Sequence, residues 1–206
     1  MRLETLVVVL AVFGGNLYLN SAQISTPSGT VALPAGTGTA AVNGLSTNLV
    51  QSTAVASTSG ATIPFTDLPS WVKRITLLLY NVSTTGISGY KVLIGPSGGV
   101  ETTTYLGEAD VQDGVTNANL STSFYVIGSG SLSAASVIQG RIELYNHSGN
   151  IWICASQLGR SDATGTGSSF YLSGSKSLAG VLTQVQLSTG NGTDTFDAGS
   201  VNLLYE

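Results

Sequence analysis

Charged side chains are scarce in this sequence. Asp, Glu, Lys and Arg make up 9% of the 206 residues, against roughly a quarter in ordinary soluble domains. None occurs between Glu4 and Asp67, and this uncharged segment opens with the apolar run Leu6–Phe13. Disordered chains normally stay in solution through charge or low hydrophobicity. We therefore expect another surface to cover the run.

Basic residues are few as well, since seven Lys and Arg stand against eleven Asp and Glu, for a net charge of −4. Only Lys73 and Arg74 are adjacent. Nucleic-acid binding depends on clustered basic side chains that displace counterions from phosphates. The charge pattern therefore predicts no nucleic-acid partner.

A single cysteine, Cys154, excludes an internal disulfide framework. It lies in the apolar run Ile151–Ala155, where a buried thiol acts as a small hydrophobic side chain. A nucleophilic cysteine would need a histidine nearby. The one histidine, His147, stands in the turn-like segment Asn146–Asn150, and we expect it in a surface loop.

Two groups of carboxylates are candidate sites. Glu108, Asp110 and Asp113 are closely spaced like calcium ligands, but they lack the ligand series and the distal Glu of a calcium loop, so a solvated turn is expected. Asp194 and Asp197 could form a glycosidase pair, yet nothing in the sequence brings an acid and a nucleophile together. We expect no enzyme activity, no catalytic residue, no metal and no cofactor.

Six tyrosines fall in or beside the predicted strands and could offer stacking surfaces to sugars. Cross-strand packing is the simpler interpretation. They are Tyr80, Tyr90, Tyr105, Tyr125, Tyr145 and Tyr171.

Residues 1–22 allow three interpretations. A cleaved secretory signal is one, with Arg2 before the apolar run and Asn20–Ala22 as the cleavage site. However, Glu4 offsets the charge of Arg2, and Asn20 is a poor residue at its position before the cut. An isolated membrane anchor is the second, although a transmembrane helix needs about 20 apolar residues. We favour the third, an arm that docks on a partner.

The rest of the chain predicts an all-β fold. Composition places an uncharged docking arm and linker in residues 1–47 and a β-sandwich domain in residues 48–206. In the segment Ser136–Tyr145 apolar and polar residues alternate, as in antiparallel strands with one wet face. Gly, Ser, Asn and Asp separate many short strands, which favours an antiparallel, jelly-roll-like sandwich. The predicted strands are Val72–Val82, Tyr90–Ile94, Glu101–Leu106, Ser123–Ile127, Ser136–Tyr145, Ile151–Gln157, Ser168–Leu172, Val181–Ser188 and Ser200–Tyr205.

Four segments of the domain carry a resemblance. Ile63–Thr76 reads IPFTDLPSWVKRIT, Asn81–Gly86 reads NVSTTG, Gly95–Thr103 reads GPSGGVETT and Asp194–Glu206 reads DTFDAGSVNLLYE. Together they resemble a C-terminal β-domain of tailed-bacteriophage virion surface proteins, which occurs on tail fibres, head fibres and decoration proteins. The resemblance covers roughly residues 55–206. It implies a structural role on a virion and a homotrimer.

The same segments also permit a structural interpretation. Pro64 and Pro69 are expected to fix turns, and Trp71 is expected to anchor the core ahead of a strand. Lys73 and Arg74 are expected to point to opposite faces of that strand. Asp194–Gly199 is expected to form a turn into the last strand.

The leading expectation is a non-enzymatic phage virion protein at the virion surface, a short capsid decoration or head-fibre protein. Its arm would dock on capsid or tail structural proteins, and its sandwich would be exposed as a trimer. One alternative is a tail fibre or an adhesin that binds host surface glycan through sandwich loops. The other is a secreted β-sandwich hydrolase with a signal peptide.

Overall fold

The computed structural model describes residues 49–111, 118–119, 121–128, 132–162 and 167–206, together with four short strands between residues 11 and 32. The chain divides into two compact units, Met1–Thr47 and Asn48–Glu206. In the first unit the described strands form two antiparallel hairpins. They are β1 (Ala11–Phe13) with β2 (Asn16–Tyr18), and β3 (Gln23–Thr26) with β4 (Gly29–Ala32). Most of the predicted apolar run, residues 6–10, and the linker at 33–48 lie outside the described residues.

The described part of the second unit consists of strands joined by turns. They are β5 (Val50–Gln51), β6 (Val55–Ala56), β7 (Thr62–Phe65), β8 (Arg74–Thr84), β9 (Tyr90–Gly95), β10 (Tyr105–Val111), β11 (Ala118–Asn119), β12 (Phe124–Tyr125), β13 (Val137–Ser148), β14 (Ile151–Ser161), β15 (Ser168–Ser177), β16 (Gln184–Thr189) and β17 (Phe196–Tyr205).

These strands form two antiparallel sheets within the described part of the unit. The large sheet has nine strands in the order β11-β10-β15-β14-β13-β8-β17-β5, with β6 also paired to β17. The small sheet has the order β12-β9-β16-β7. Most connections cross between the sheets, as in a jelly roll, whereas β13, β14 and β15 follow one another within the large sheet. The predicted all-β antiparallel sandwich is confirmed.

One apolar cluster fills the space between the sheets. Ile75 and Leu77 of β8 and Ile142 and Leu144 of β13 face Val185 and other residues of the small sheet, all fully or nearly fully buried. Burying a side chain of this size stabilises the fold by about 1.5–3 kcal/mol. The alternation predicted for Ser136–Tyr145 is correct, since Ile138, Ile142 and Leu144 are buried and Arg141 and Tyr145 are exposed.

Tyr105 connects the two sheets by packing and by hydrogen bonds. Its ring meets Phe124 edge-on, with 4.8 Å between centroids. Its hydroxyl accepts from the Ile94 N–H at 3.0 Å and donates to the Glu101 carbonyl at 2.9 Å. The edge strand β12 pairs with β9 only at Lys91 and Val92. The Tyr105 hydroxyl therefore provides the hydrogen-bond partner for the Ile94 N–H, which lies beyond the end of β12. Burial raises the pKa of Tyr105 to about 12.

An ion pair between Glu101 and Lys176 closes the end of the sandwich beside Tyr105. The Lys176 ammonium is 2% exposed and also donates to Thr104 Oγ1 and the Ser177 carbonyl, both at 2.9 Å. The Glu101 carboxylate also accepts from the Ala179 N–H at 2.8 Å. Burial alone would raise the pKa of Glu101, but the bonds from Lys176 and Ala179 outweigh it and hold that pKa below its usual value.

Several predicted strand limits are wrong. The segment Glu101–Leu106 is a loop up to Thr104, and β10 begins at Tyr105. The positive φ angles of Gly99 and Thr104, at 126° and 59°, turn the chain so that Glu101 reaches Lys176. The segment Ser123–Ile127 contains only the two-residue strand β12, and β16 starts three residues later than predicted.

Pro64 and Trp71 do not have the roles predicted for them. Pro64 is in β7, an edge strand that pairs only with β16. Proline has no N–H to donate, and an edge strand tolerates this because it has a neighbour on one side only. Trp71 is 48% exposed and packs on Tyr205, with 5.8 Å between ring centroids. Trp152 of β14 is the buried tryptophan instead, at 3% exposure.

Two further details of the C-terminal and Lys73 segments differ from the prediction. β17 already begins at Phe196, so Asp194–Gly199 is mostly strand. Its register shifts twice against β8, and Gly199 adopts a φ of 88° that lets it lie against the Asn81 carbonyl. A glycine bulge of this kind keeps the chain in the sheet where a turn was expected. Lys73 precedes β8, and both Lys73 and Arg74 are exposed.

Replacing Glu101 with Gln should lower the free energy of unfolding by about 3 kcal/mol, because the buried Lys176 charge loses its partner. Urea denaturation at pH 7 measures this change. Glu108→Gln is the matched control, since Glu108 is exposed, and it should shift stability by no more than about 0.5 kcal/mol.

The pH dependence of the same pair has a definite sign. Since folding lowers the pKa of Glu101, the advantage of the wild type over Glu101→Gln should be complete above the unfolded value, about 4.3. It should disappear as the pH falls through the lower folded value. Equal stability of the Glu101→Gln and Glu108→Gln proteins at pH 7 would contradict this account.

Candidate functional site

The outer face of the large sheet, which points away from the core, is the broadest candidate surface of the second unit. Strand register places Leu106, Ser175, Ile153, Tyr145 and Arg74 in one row across five strands, from β10 to β8. Leu106 is 67% exposed, and Ile153 and Tyr145 are each more than one-third exposed. This row, here the apolar row, gives the face an unusually hydrophobic character at one end.

The charges on this face occur largely in pairs. Arg74 contacts the Glu206 carboxylate at 2.9 Å, and Arg141 contacts the Glu143 carboxylate at 3.3 Å. Burial raises the pKa of the Tyr145 phenol, and the neighbouring Glu143 raises it further. The phenol is therefore neutral at physiological pH, and the face carries little net charge.

A shallow depression of about 590 Å³ opens on the same face beside the apolar row. It lies over the middle of the sheet, where β8, β13, β14 and β15 run side by side. Its lining residues are Leu78, Leu79, Gln139, Gly140, Arg141, Gln157, Leu158, Gly159 and Ser169.

Two glycines create the depression. Gly140 has a φ of 134°, and the register between β13 and β8 shifts next to it, which marks a bulge. A Cβ at Gly140 would clash with the Gln157 carbonyl, so the backbones of β13 and β14 approach closely there. Gly159, by contrast, faces open space. The sequence did contain a signal for this feature, because a glycine that interrupts an alternating strand indicates a bulge.

Cys154 has the structural role predicted for it. It is fully buried in β14, and burial raises the pKa of its thiol well above the usual value. His147 is exposed near the end of β13, which extends to Ser148, so the predicted loop is shorter than expected. The two residues are not arranged as a nucleophile and its base.

The solvated turn expected around Glu108, Asp110 and Asp113 is not found in the described residues. Glu108 and Asp110 belong to β10, and Asp113 lies outside the described residues. Within the described ranges, no three His, Cys, Asp or Glu side chains form a group that could hold a metal ion.

Asp194 stabilises a turn through its carboxylate. Oδ2 accepts a hydrogen bond from the Ser88 N–H at 2.9 Å, which ties the segment before β17 to the segment after β8. The Asn191 side chain accepts from the Asp194 N–H at 2.9 Å. Asp197 is exposed in β17. Structural contacts therefore account for Asp194 without a catalytic role.

The six tyrosines divide into three groups by exposure. Tyr90 and Tyr105 are buried and meet Phe196 and Phe124 edge-on. Each of these two ring pairs joins the small sheet to the large sheet, so the rings pack between the sheets and not across neighbouring strands. Tyr125 is partly buried and donates to the Gly190 carbonyl at 3.1 Å. The others are exposed on the outer face of the large sheet, and they are Tyr80, Tyr145 and Tyr171.

Three of the four segments that resemble the phage domain meet in the structure. Ile63–Thr76 contacts Asp194–Glu206 through the Trp71–Tyr205 rings and through backbone bonds from Lys73 and Arg74 to the Glu206 carbonyl, at 2.7 and 2.9 Å. Asn81–Gly86 continues β8 along β17. All these contacts are structural.

Comparisons with known proteins identify no relative, since no protein-family model, curated protein or solved structure matches the chain. Across the part of the chain that the structure describes, no helix is long and apolar enough to cross a membrane.

The Cys154 thiol should be unreactive in the native protein, because it is fully buried and its raised pKa keeps it protonated. With an aromatic disulfide reagent at pH 8, we expect labelling only at the rate at which the protein unfolds, and rapid labelling in denaturant. Immediate stoichiometric labelling of the native protein would contradict the burial of this side chain.

Proposed function

We propose that the protein is a non-enzymatic structural component of a phage virion surface, a short capsid decoration or head-fibre protein. Residues 1–47 dock it on capsid or tail structural proteins, and the sandwich is exposed to the surroundings. A tail-fibre position would use the same two parts.

The observation that supports this proposal best is the convergence of the resembling segments. Ile63–Thr76 and Asn81–Gly86 follow one another closely and both contribute to β8, whereas Asp194–Glu206 comes more than 100 residues later and contains β17. Together they build the pair of β8 with β17 and the turns that flank it. The fourth segment, Gly95–Thr103, supplies the carboxylate for Lys176. Residues that jointly define a folded unit are the ones a shared domain would retain.

Composition and exposure support the assembly part of the proposal. The uncharged segment at the start of the chain suits burial against neighbouring subunits, because charges are depleted at the cores of permanent interfaces. The apolar row of the sandwich offers a surface for self-association. The resemblance implies that this association is a homotrimer.

Two charges placed in the apolar run should prevent incorporation into particles. We expect the double variant Val8→Asp/Leu10→Asp to lower the amount of protein that sediments with virions by at least about tenfold, because docking would bury unpaired carboxylates. Full-length protein is supplied in trans during infection by a phage that lacks it, and purified particles are assayed by quantitative immunoblot.

The matched control is Gly36→Asp/Gly38→Asp, which adds the same charge to the linker and should incorporate normally. Light scattering on the purified variants checks that both keep the oligomeric state of the wild type. Normal incorporation of the apolar-run variant would refute docking through this segment.

A further inference from the structure

The depression on the outer face of the large sheet is lined by side chains that donate and accept hydrogen bonds. Gln139 and Gln157 carry amides, Arg141 a guanidinium and Ser169 a hydroxyl. Amides and guanidinium groups are planar and can hydrogen-bond two neighbouring ligand oxygens at once. Leu78 adds an apolar contact. This combination fits a ligand that has several hydroxyl groups on a compact frame.

Two exposed tyrosines stand beside the depression. Tyr171 is the register partner of Gln157 and lies two residues from Ser169 on the same face of β15. Tyr80 lies two residues from Leu78 on β8. These rings are 42% and 65% exposed. Exposed aromatic rings with a polar tip suit contact with a flat apolar surface that is edged by polar groups, as a sugar ring presents.

The charge of the face argues against an anionic ligand. The Arg141 guanidinium is paired with Glu143 at 3.3 Å, and Glu108 is exposed on β10 of the same sheet. An anion at the depression would therefore meet a guanidinium that already has a carboxylate partner, and the Glu143 carboxylate would repel it. An uncharged ligand does not need a free guanidinium and is not repelled by the carboxylate.

We propose that this depression binds a neutral saccharide, with one or two sugar rings held between the amides and the flanking tyrosines. A volume of about 590 Å³ falls in the range of small-molecule sites, about 300–1,000 Å³. The site lies on the sheet face, away from the sandwich loops. The inference does not rest on virion docking, because the purified chain alone should bind.

Gly159 offers a sharp test, because it lines the depression and a Cβ there meets no atom within 4 Å. Gly159→Val should place a branched side chain inside the depression and obstruct a ligand there, while the sheet stays intact, since valine suits a strand. Ser175→Val is the matched control on the same face, in the apolar row outside the depression. The full-length proteins are screened on an array of neutral and acidic oligosaccharides, and calorimetry measures the neutral ligands that bind.

We expect the wild type to bind at least one neutral oligosaccharide. Gly159→Val should weaken that binding by at least about tenfold, and Ser175→Val should leave it unchanged, with thermal unfolding confirming that all the proteins are folded. Gln157→Ala and Tyr171→Ala, both at exposed positions, should weaken binding as well and serve if Gly159→Val fails to fold. Binding only to acidic sugars, no binding to any neutral one, or equal binding by the wild type and the depression variants would overturn the proposal.

Discussion

The pairing of β8 with β17 is the interaction on which the rest of the sandwich depends. β17 lies between β8 and the short edge strands β5 and β6, so the last strand of the chain is an inner strand of the large sheet. Segments from the early part of the domain bond to the backbone at its end. The Ser57 N–H donates to the Gly199 carbonyl at 3.0 Å, and the Lys73 and Arg74 N–H groups donate to the carbonyl of Glu206, the residue after β17. Forming these contacts closes loops of more than 100 residues, which costs chain entropy. We therefore expect the core beneath the pair to form only when β8 and β17 have come together.

A chain with so little charge must obtain its stability from burial between two sheets. The few charged groups of the domain are used at its margins, where Glu101 holds Lys176 and Glu206 holds Arg74. Hydroxyls and amides form most of the other side-chain hydrogen bonds. The Tyr105 hydroxyl, for example, accepts from the Ile94 N–H of β9 and donates to the Glu101 carbonyl. Because charged groups are few and largely paired, the outer face of the large sheet carries little net charge. The same face carries the apolar row proposed for association and the depression proposed for a ligand, where the Arg141 charge is paired with Glu143.

Sequence patterns predict the fold class and the approximate positions of many strands. In β13, for example, Ile138, Ile142 and Leu144 alternate with polar residues in a way that only a half-buried strand explains. They mislead where tertiary contacts override local preference. Pro64 is tolerated in β7 because that strand is an edge. Trp71 packs on Tyr205 and stays half-exposed, while Trp152 lies in the core. The depression could be anticipated only in part. Gly140 signals a bulge, but the register that brings Gln157, Ser169 and Tyr171 beside it is a property of four assembled strands.

The proposed function joins two parts of the chain, an uncharged N-terminal segment that would dock and a sandwich that would be displayed. The measurement that tests it most directly is the intact mass of the protein recovered from purified particles of its native source. The account predicts a particle-bound protein that retains residues 1–47. A soluble protein shortened by about 22 residues, as signal-peptide removal would leave it, and absent from the particle fraction would contradict it.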